Sequence, residues 1–281
     1  AQADPARAYD QLKAAYIAQV YRGNITPEKI SEVSLQILDR VFGPDRVAEI
    51  LNHPSIQLGF SAVRCKGPMA MESLSAQTGG MFAGFGLNLF SKRTQRLFFK
   101  RTLFHTGTAS VRVPVRFSGP GTDKVVLDRT NFRQALLASG SIPVVMSGIR
   151  DIPASPPGMY RDGGILDYHP VVSLKKEAPG FILYPHFYPW IIPGWFDKTL
   201  PWRRARGKVL DRTILVSPSD AFVRKLPFKR IPDRKDFIRF QGRDPQRFRT
   251  WDAAAQLSLE LGSEFLDLIK TGQICERVKE F

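Results

Sequence analysis

Cysteine and histidine are both scarce in this chain, with two of the former and four of the latter among 281 residues. Cys65 and Cys275 lie far apart, so the chain encodes no disulfide framework of the kind that staples small secreted domains. Two reduced thiols in a reducing compartment are the simpler reading, although a single bridge stays open. His53, His105 and His186 are scattered and form no metal motif. Neither a metal nor an organic cofactor is implied.

Long apolar runs are missing too. The most apolar stretch, residues 181–196, contains Pro185, Pro189 and Pro193. Prolines at that spacing break a helix, and the stretch falls short of the roughly 20 residues a membrane span needs. No signal peptide is visible. The chain starts at Ala1 rather than Met, and Asp4-Pro5 opens a helix almost at once. The expectation is that the natural start lies upstream, and that the protein is cytoplasmic or peripheral to a membrane.

What is present is a globular balance of 43% hydrophobic and 24% charged residues, enough to bury a sizeable core without cross-links. The charge is lopsided, at +15. Such a surplus speaks to partners and solubility, not to fold. It admits an anionic membrane surface or nucleic acid as partner, with a solvated basic surface as the plain alternative. No helix-turn-helix, zinc-finger or RNA-binding pattern accompanies the charge, so no nucleic acid is expected as partner.

The first fifty residues read as helical. Asp4 caps a helix with Pro5 at its first position, and Leu12, Tyr16 and Val20 recur at helical spacing. Thr26-Pro27 starts a second helix with Ile30, Val33, Ile37 and Val41 as its apolar stripe, closed by Gly43. A third covers residues 44–52. Alternation through Ile56, Leu58, Phe60 and Ala62 predicts a strand reaching Cys65. Residues 73–86, rich in Gly, Ser and other small side chains, read as a loop. Residues 97–116 hold two extended segments, one of them over 110–115, and residues 125–127 a short strand. Thr130 caps a helix through Phe132, Leu136 and Leu137 that ends at Gly140. Residues 142–146 read as a buried strand and 160–162 as a brief extended segment. Later strands fall in 181–184 and 209–216. A helix over 248–269 presents Trp251, Leu257, Leu261, Phe265 and Leu268 on one broad face. Strands alternating with helices, with no internal repeat, predict an α/β fold with a mixed or mainly parallel sheet between helices.

The segment that carries chemistry runs from Ala135-Leu-Leu-Ala-Ser-Gly-Ser-Ile-Pro143 through Pro157-Gly-Met-Tyr-Arg-Asp-Gly-Gly164 to Pro170. A carboxylate stands there just before two glycines. Held at a strand end, such a carboxylate can orient and deprotonate a hydroxyl. Gly163 and Gly164 remove side chains that would block a substrate and permit backbone shapes other residues resist. Asp-Gly-Gly alone is common turn sequence. The whole segment, in order, spacing and residue type, closely resembles the patatin-like phospholipase family. There, a helix ending in Ala-Ser-(small)-(small)-Ile-Pro precedes a Pro-rich loop and a Tyr-x-Asp-Gly-Gly/Ala turn. The matching positions are Ala138, Ser139, Ile142 and Pro143, then Tyr160, Asp162, Gly163 and Gly164. Residues 229–237 and the long helix after them are also similar to the C-terminal region of bacterial members. The resemblance covers most of the chain and is strongest over residues 130–170.

The resemblance implies a lipid acyl hydrolase on a three-layer α/β/α sandwich, incomplete at its N-terminal side. Residues 1–172 would be the C-terminal part of the catalytic domain and 173–281 an extension packed on it. It also implies a serine–aspartate dyad without histidine. A serine on a Gly-x-Ser-x-Gly elbow attacks the ester, Asp162 pairs with it, and an upstream glycine-rich loop donates N–H groups to the oxyanion. The chain departs from this pattern. It has no Gly-x-Ser-x-Gly and no three-glycine oxyanion loop, and its nearest match, Gly80-Met-Phe-Ala-Gly84, puts Phe82 at the nucleophile position. In the family both motifs precede the helices that lead to the aspartate turn, so truncation accounts for both gaps. The expectation is that this polypeptide alone lacks acyl hydrolase activity and that a longer parent turns over the lipid ester substrate. The alternative from another class is a peripheral membrane-binding pseudoenzyme.

Other candidates have plainer readings. His169, seven residues after Asp162, reads as a structural or exposed histidine rather than a base. Asp167 reads as a cap or turn residue, and Ser217 or Ser219 as the cap of a helix start. Within residues 184–208, Trp190, Trp195 and Trp202 stand close to Arg203 and Arg204. Rings among headgroups and cations against anionic lipid suit a bilayer interface; a proline-braced loop packed on the core is the alternative. A second basic cluster, Arg224, Lys225, Lys229, Arg230, Arg234, Lys235 and Arg239, reads as headgroup-binding or simply solvated.

Overall fold

The computed structural model describes residues 4–21, 25–107, 115–117, 121–176 and 178–280. The chain separates into two compact units. The larger holds Ala1–Leu12, Tyr21–Gly180 and Ile191–Arg212; the smaller holds Lys13–Val20, Phe181–Trp190 and Thr213–Phe281. It is a mixed α/β protein.

Local signals set the first helices. In α1 (Pro5–Ile17) the Asp4 carboxylate accepts the Arg7 N–H at 2.9 Å. In α2 (Pro27–Val41) the Thr26 hydroxyl accepts the Lys29 N–H at 3.3 Å. Both satisfy orphan donors at a helix start. The short helix α3 (Pro44–Leu51) turns Val47 and Ile50 inward. After β1 (Gly59–Cys65) come α4 (Leu74–Phe90), β2 (Phe99–His105), β3 (Val115–Phe117), β4 (Thr122–Val126), α5 (Phe132–Ser139), β5 (Ile149–Arg150), β6 (Met159–Asp162) and β7 (Val172–Leu174).

The main sheet has the order β4-β2-β1-β6-β5. Only β2 and β4 run parallel; β1 pairs antiparallel with both β2 and β6, as β5 does with β6. Side chains alternate between the two faces. Ala62, Phe104, Val125 and Tyr160 meet Val47 and Ile50 of α3 and Phe132, Ala135 and Ala138 of α5 on one side. Val63, Cys65, Phe99 and Met159 meet Met69, Ile165 and Phe196 on the other, with Met81 and Phe85 of α4 packed against them.

Three sequence readings need correction in this unit. Residues 73–86 are not a loop but most of α4, capped by the Ser73 hydroxyl accepting from Ala76 N. Residues 142–146 form turns rather than a buried strand. Val144 sits there at a positive φ of 69°, and its N–H donates to Gln77 Oε1 at 2.8 Å. Thr130 does not cap α5: the Asp128 carboxylate instead accepts from Thr130 N at 2.7 Å and Asn131 N at 3.1 Å. The extended segment expected over 110–115 falls largely outside the described residues.

In the smaller unit β8 (Ile182–Pro185) pairs parallel with β9 (Thr213–Val216). Four helices follow: α6 (Asp220–Lys225), α7 (Asp236–Arg239), α8 (Asp244–Lys270) and α9 (Ile274–Arg277). Ser219 caps α6 through Phe222 N at 3.2 Å. Its polar centre is Asp236, fully buried. The carboxylate accepts from Arg230, from Arg239 at 3.0 Å and from the Trp251 indole at 2.9 Å. Two members of the second basic cluster, Arg230 and Arg239, are therefore committed to an internal ion pair.

Burial by itself would raise the Asp236 pKa, but the Arg230, Arg239 and Trp251 donors outweigh it and hold the group below the ordinary carboxylate range. A depressed folded pKa stabilises the fold above the unfolded value, and that contribution is lost as pH falls through the folded value. Unfolding followed by far-UV circular dichroism should therefore show acid lability below about pH 4 that Asp236→Asn flattens. At pH 7 the same change should cost about 2–3 kcal/mol, since it leaves buried donors short of charge; a pH profile parallel to wild type would refute this role.

Both cysteines are free, Cys65 buried and Cys275 exposed. Burial pushes the Cys65 thiol up to about 12, against the pull of Arg161. A thiol reagent should titrate Cys275 alone in the native protein, and Cys275→Ser should abolish that fast reaction.

Candidate active site

Asp162 is the last residue of β6 and is half-buried. The strand places it opposite Ala62 of β1, with Arg161 opposite Val63 and Tyr160 opposite Arg64. Its N–H donates to Ser141 O at 3.0 Å. Ser141 lies in the turn that follows α5, so the two halves of the family-like segment meet here. The Asp162 carboxylate folds back on its own turn and accepts the Gly164 N–H at 2.7 Å. The chain then enters a single 3-10 turn, Gly163–Ile165.

Such a cap is common turn chemistry. The packing around it is what sets this turn apart. A Cβ placed on Gly163 would sit 2.2 Å from Ser61 O and 2.5 Å from Ser61 Oγ, on the backbone of β1. No side chain fits there, so the glycine lets the turn close directly on the neighbouring strand. At Gly164 a Cβ would come within 3.0 Å of Asp162 Oδ1. The first glycine is thus demanded by the sheet and the second leaves the carboxylate room.

Three charged residues that the sequence reading passed over or underrated hold this turn. Asp167, expected as a cap or turn residue, is instead a buried ion-pair partner: it accepts both Arg101 Nε and Arg101 Nη2 at 2.6 Å. Arg101 is itself buried on β2 and also lies 5.1 Å from the Phe117 ring centre. Arg161, fully buried, donates to the carbonyls of Met69, Met146 and Met71 at 3.2, 3.2 and 3.1 Å and to Glu72 at 3.1 Å. The available signal was an arginine two positions from an inward apolar residue of its strand, Phe99 for Arg101 and Met159 for Arg161. His169 is structural: buried, its Nδ1 accepts Ile192 N–H at 2.8 Å, and its own N–H donates to Ile192 O at 3.0 Å.

Among the described residues no nucleophile elbow appears beside this acid. Phe82 lies within α4. The hydroxyl closest to the turn in strand register is Ser61, but it sits in the regular strand Gly59-Phe60-Ser61-Ala62-Val63 rather than on a sharp turn. The pleat gives Ser61 the face of Val63, while Ala62, the partner of Asp162, takes the other. Among the described residues no group of His, Cys, Asp and Glu is placed to hold a metal ion.

The aromatic-basic stretch is divided. Trp190 belongs to the smaller unit, where it stacks on Tyr188 with ring centres 5.4 Å apart. Trp195, Trp202, Arg203 and Arg204 belong to the larger unit. Trp195 is half-buried against Phe196, whereas Trp202 is 71% exposed. Arg203 Nη2 donates to Asn88 O at 3.1 Å. Among the described residues no helix is long and apolar enough to cross a membrane.

Compared with known proteins, the chain matches no family model, no curated protein and no solved structure.

The close approach at Gly163 has a measurable consequence. Gly163→Ala should destabilise the larger unit by about 2 kcal/mol or more, because backbone rather than a flexible side chain must yield. Gly164→Ala, which meets only the Asp162 carboxylate, should cost less. Urea unfolding of the two variants ranks them, and equal stabilities would contradict the packing.

Proposed function

We propose that this chain carries the acid half of a serine–aspartate lipid acyl hydrolase, on a patatin-like three-layer sandwich whose nucleophile lies in a segment outside these residues. The observation that supports the reading is the Asp162 turn: a carboxylate at a strand end, its orientation fixed by Gly164 N–H, beside a glycine that closes on β1. The resemblance over residues 130–170 supplies the reaction class.

In this reading the serine hydroxyl gives its proton to Asp162 as its oxygen attacks the ester carbonyl carbon. The tetrahedral oxyanion collapses with loss of the alcohol, which takes the proton back from Asp162. Water, deprotonated by the same carboxylate, then releases the fatty acid from the acyl-enzyme. Arg101–Asp167 and Arg161 act through the turn, as positioning residues. The substrate is a carboxylic ester of a lipid.

The 281-residue polypeptide should not turn over 4-nitrophenyl octanoate. A longer product of the same reading frame that includes a Gly-x-Ser-x-Gly segment should do so, and Asp162→Asn in it should lower kcat by about 10²–10⁴-fold. Turnover by the 281-residue polypeptide that Asp162→Asn abolishes would overturn the missing-nucleophile reading. A complete frame without an elbow would leave the second reading, a membrane-binding pseudoenzyme, which the exposure of Trp202 next to Arg203 and Arg204 favours. Charge reversal at Arg203 and Arg204 should then weaken binding to anionic vesicles, and unchanged binding would count against docking through this stretch.

A further inference from the structure

Helix α4 is inside out. Its buried positions are Gln77, Gly80, Gly84 and Asn88, whereas Phe82, Leu89 and Phe90 point outward, Phe82 74% and Phe90 87% exposed. An ordinary surface helix has the opposite polarity. The inward side chains explain how the helix is held this way round. Gln77 Nε2 donates to Glu72 O at 3.1 Å and Gln77 Oε1 accepts from Val144 N. Asn88 donates to Asp197 at 2.8 Å. A Cβ on Gly80 would meet Met69 Sδ at 2.8 Å, and one on Gly84 the Phe196 ring at 3.1 Å, so both glycines are needed for close packing. These contacts, with Met81 and Phe85 packed on the core, fix the rotation of the helix about its axis and leave Phe82, Leu89 and Phe90 outward.

The exposed apolar side has a basic border. No charged residue occurs from Ser73 to Ser91, and Lys92, Arg93 and Arg96 follow at once. Arg93 and Arg96 are exposed. Arg203, bonded to Asn88 O near the end of α4, follows directly on the exposed Trp202 in the chain. Leu97, 64% exposed, continues the apolar surface past the basic residues. Asp197 is buried and engaged by Asn88 and by Lys92 at 3.7 Å. Exposed apolar side chains on a helix of seventeen residues, about 25 Å long, thus run into exposed arginines in the 3-10 turn Lys92–Leu97 that follows it, and apolar rings beside cations suit the surface of an anionic bilayer.

We propose that α4 is a monotopic docking element. It lies in the plane of an anionic bilayer, buries Phe82, Leu89 and Phe90 at the level of the acyl-chain boundary, and sets Arg93, Arg96 and Trp202 among the headgroups. The proposal deepens the membrane reading of Trp202 and Arg203 and rests on it. It needs no nucleophile, so it is independent of the hydrolase reading.

The test is flotation of the 281-residue chain with vesicles of phosphatidylcholine alone or with 30% phosphatidylglycerol. Wild type should float with the anionic vesicles and much less with the neutral ones. Phe82→Ser with Phe90→Ser should cut the bound fraction about tenfold, and Arg93→Glu with Arg96→Glu should do so on anionic vesicles, with circular dichroism spectra unchanged. A dye sensitive to polarity, attached to Phe82→Cys in a Cys275→Ser background, should shift to the blue on vesicle addition. If wild type floats and Arg203→Glu with Arg204→Glu abolishes it while Phe82→Ser with Phe90→Ser does not, docking is real but α4 is not its site. If wild type fails to float, both membrane readings fall and the hydrolase reading is untouched. If wild type is a dimer that the Phe82 and Phe90 changes dissolve, a second copy occupies the surface and the proposal is wrong.

Discussion

The pairing of β1 with β6 is the constraint on which the larger unit depends. It sets Arg161 opposite Val63, and β2 sets Arg101 opposite the same valine from the other side. Two guanidinium groups are thereby committed to one face of the sheet, beside the apolar Val63, Cys65, Phe99 and Met159. Taking such groups out of water costs several kcal/mol each unless charge and acceptors are supplied. Arg101 receives Asp167 in a bidentate pair. Arg161 receives Glu72 and three main-chain carbonyls. The loops that bring those partners are the turn carrying Asp162 and the segment leading into α4. The two regions with functional readings are therefore tied to the same pair of buried cations.

The same requirement explains why α4 turns polar atoms inward. Arg161 holds the Met69 and Met71 carbonyls, which fixes the chain just before the helix. Gln77 then satisfies Glu72 O and Val144 N, Gln95 donates to Gly84 O at 2.9 Å, and Asn88 reaches Asp197. Buried amides of this kind specify one rotation of a helix, because any other leaves several donors and acceptors without partners. Met81 and Phe85, packed against the core, add apolar burial to the same choice. The outward phenylalanines follow from the inward amides.

The sequence was most legible where a local rule acts alone. Asp4, Thr26 and Ser219 cap helices through side-chain oxygens, and the alternation through Ala62 marks β1. It was least legible where tertiary partners override local preference. Four glycines in α4 argue for a loop by propensity, yet Gly80 and Gly84 are there because Met69 and Phe196 approach them. The run from Ile142 to Met146 has strand composition, but Val144 is drawn into a turn by Gln77, sixty-seven positions away in sequence. Asp162 was singled out because it stands in a motif. Asp167, five residues on, was misread, since nothing local announces a partner on another strand.

Asp162 is the last residue of its strand, so a substrate would reach it along the end of the sheet rather than through either face. Its own face is closed by the α3 and α5 core around Tyr160, and the opposite face by Met69, Phe196 and α4. The pleat that gives Ala62 to the Asp162 side assigns Ser61 to the side of the buried arginines. A hydroxyl able to take part must therefore arrive on a backbone that ends beside β6, as an elbow at a strand terminus does. Arg161 joins the two segments, since it stands next to Asp162 on β6 and holds the Met69 and Met71 carbonyls and Glu72 just before α4.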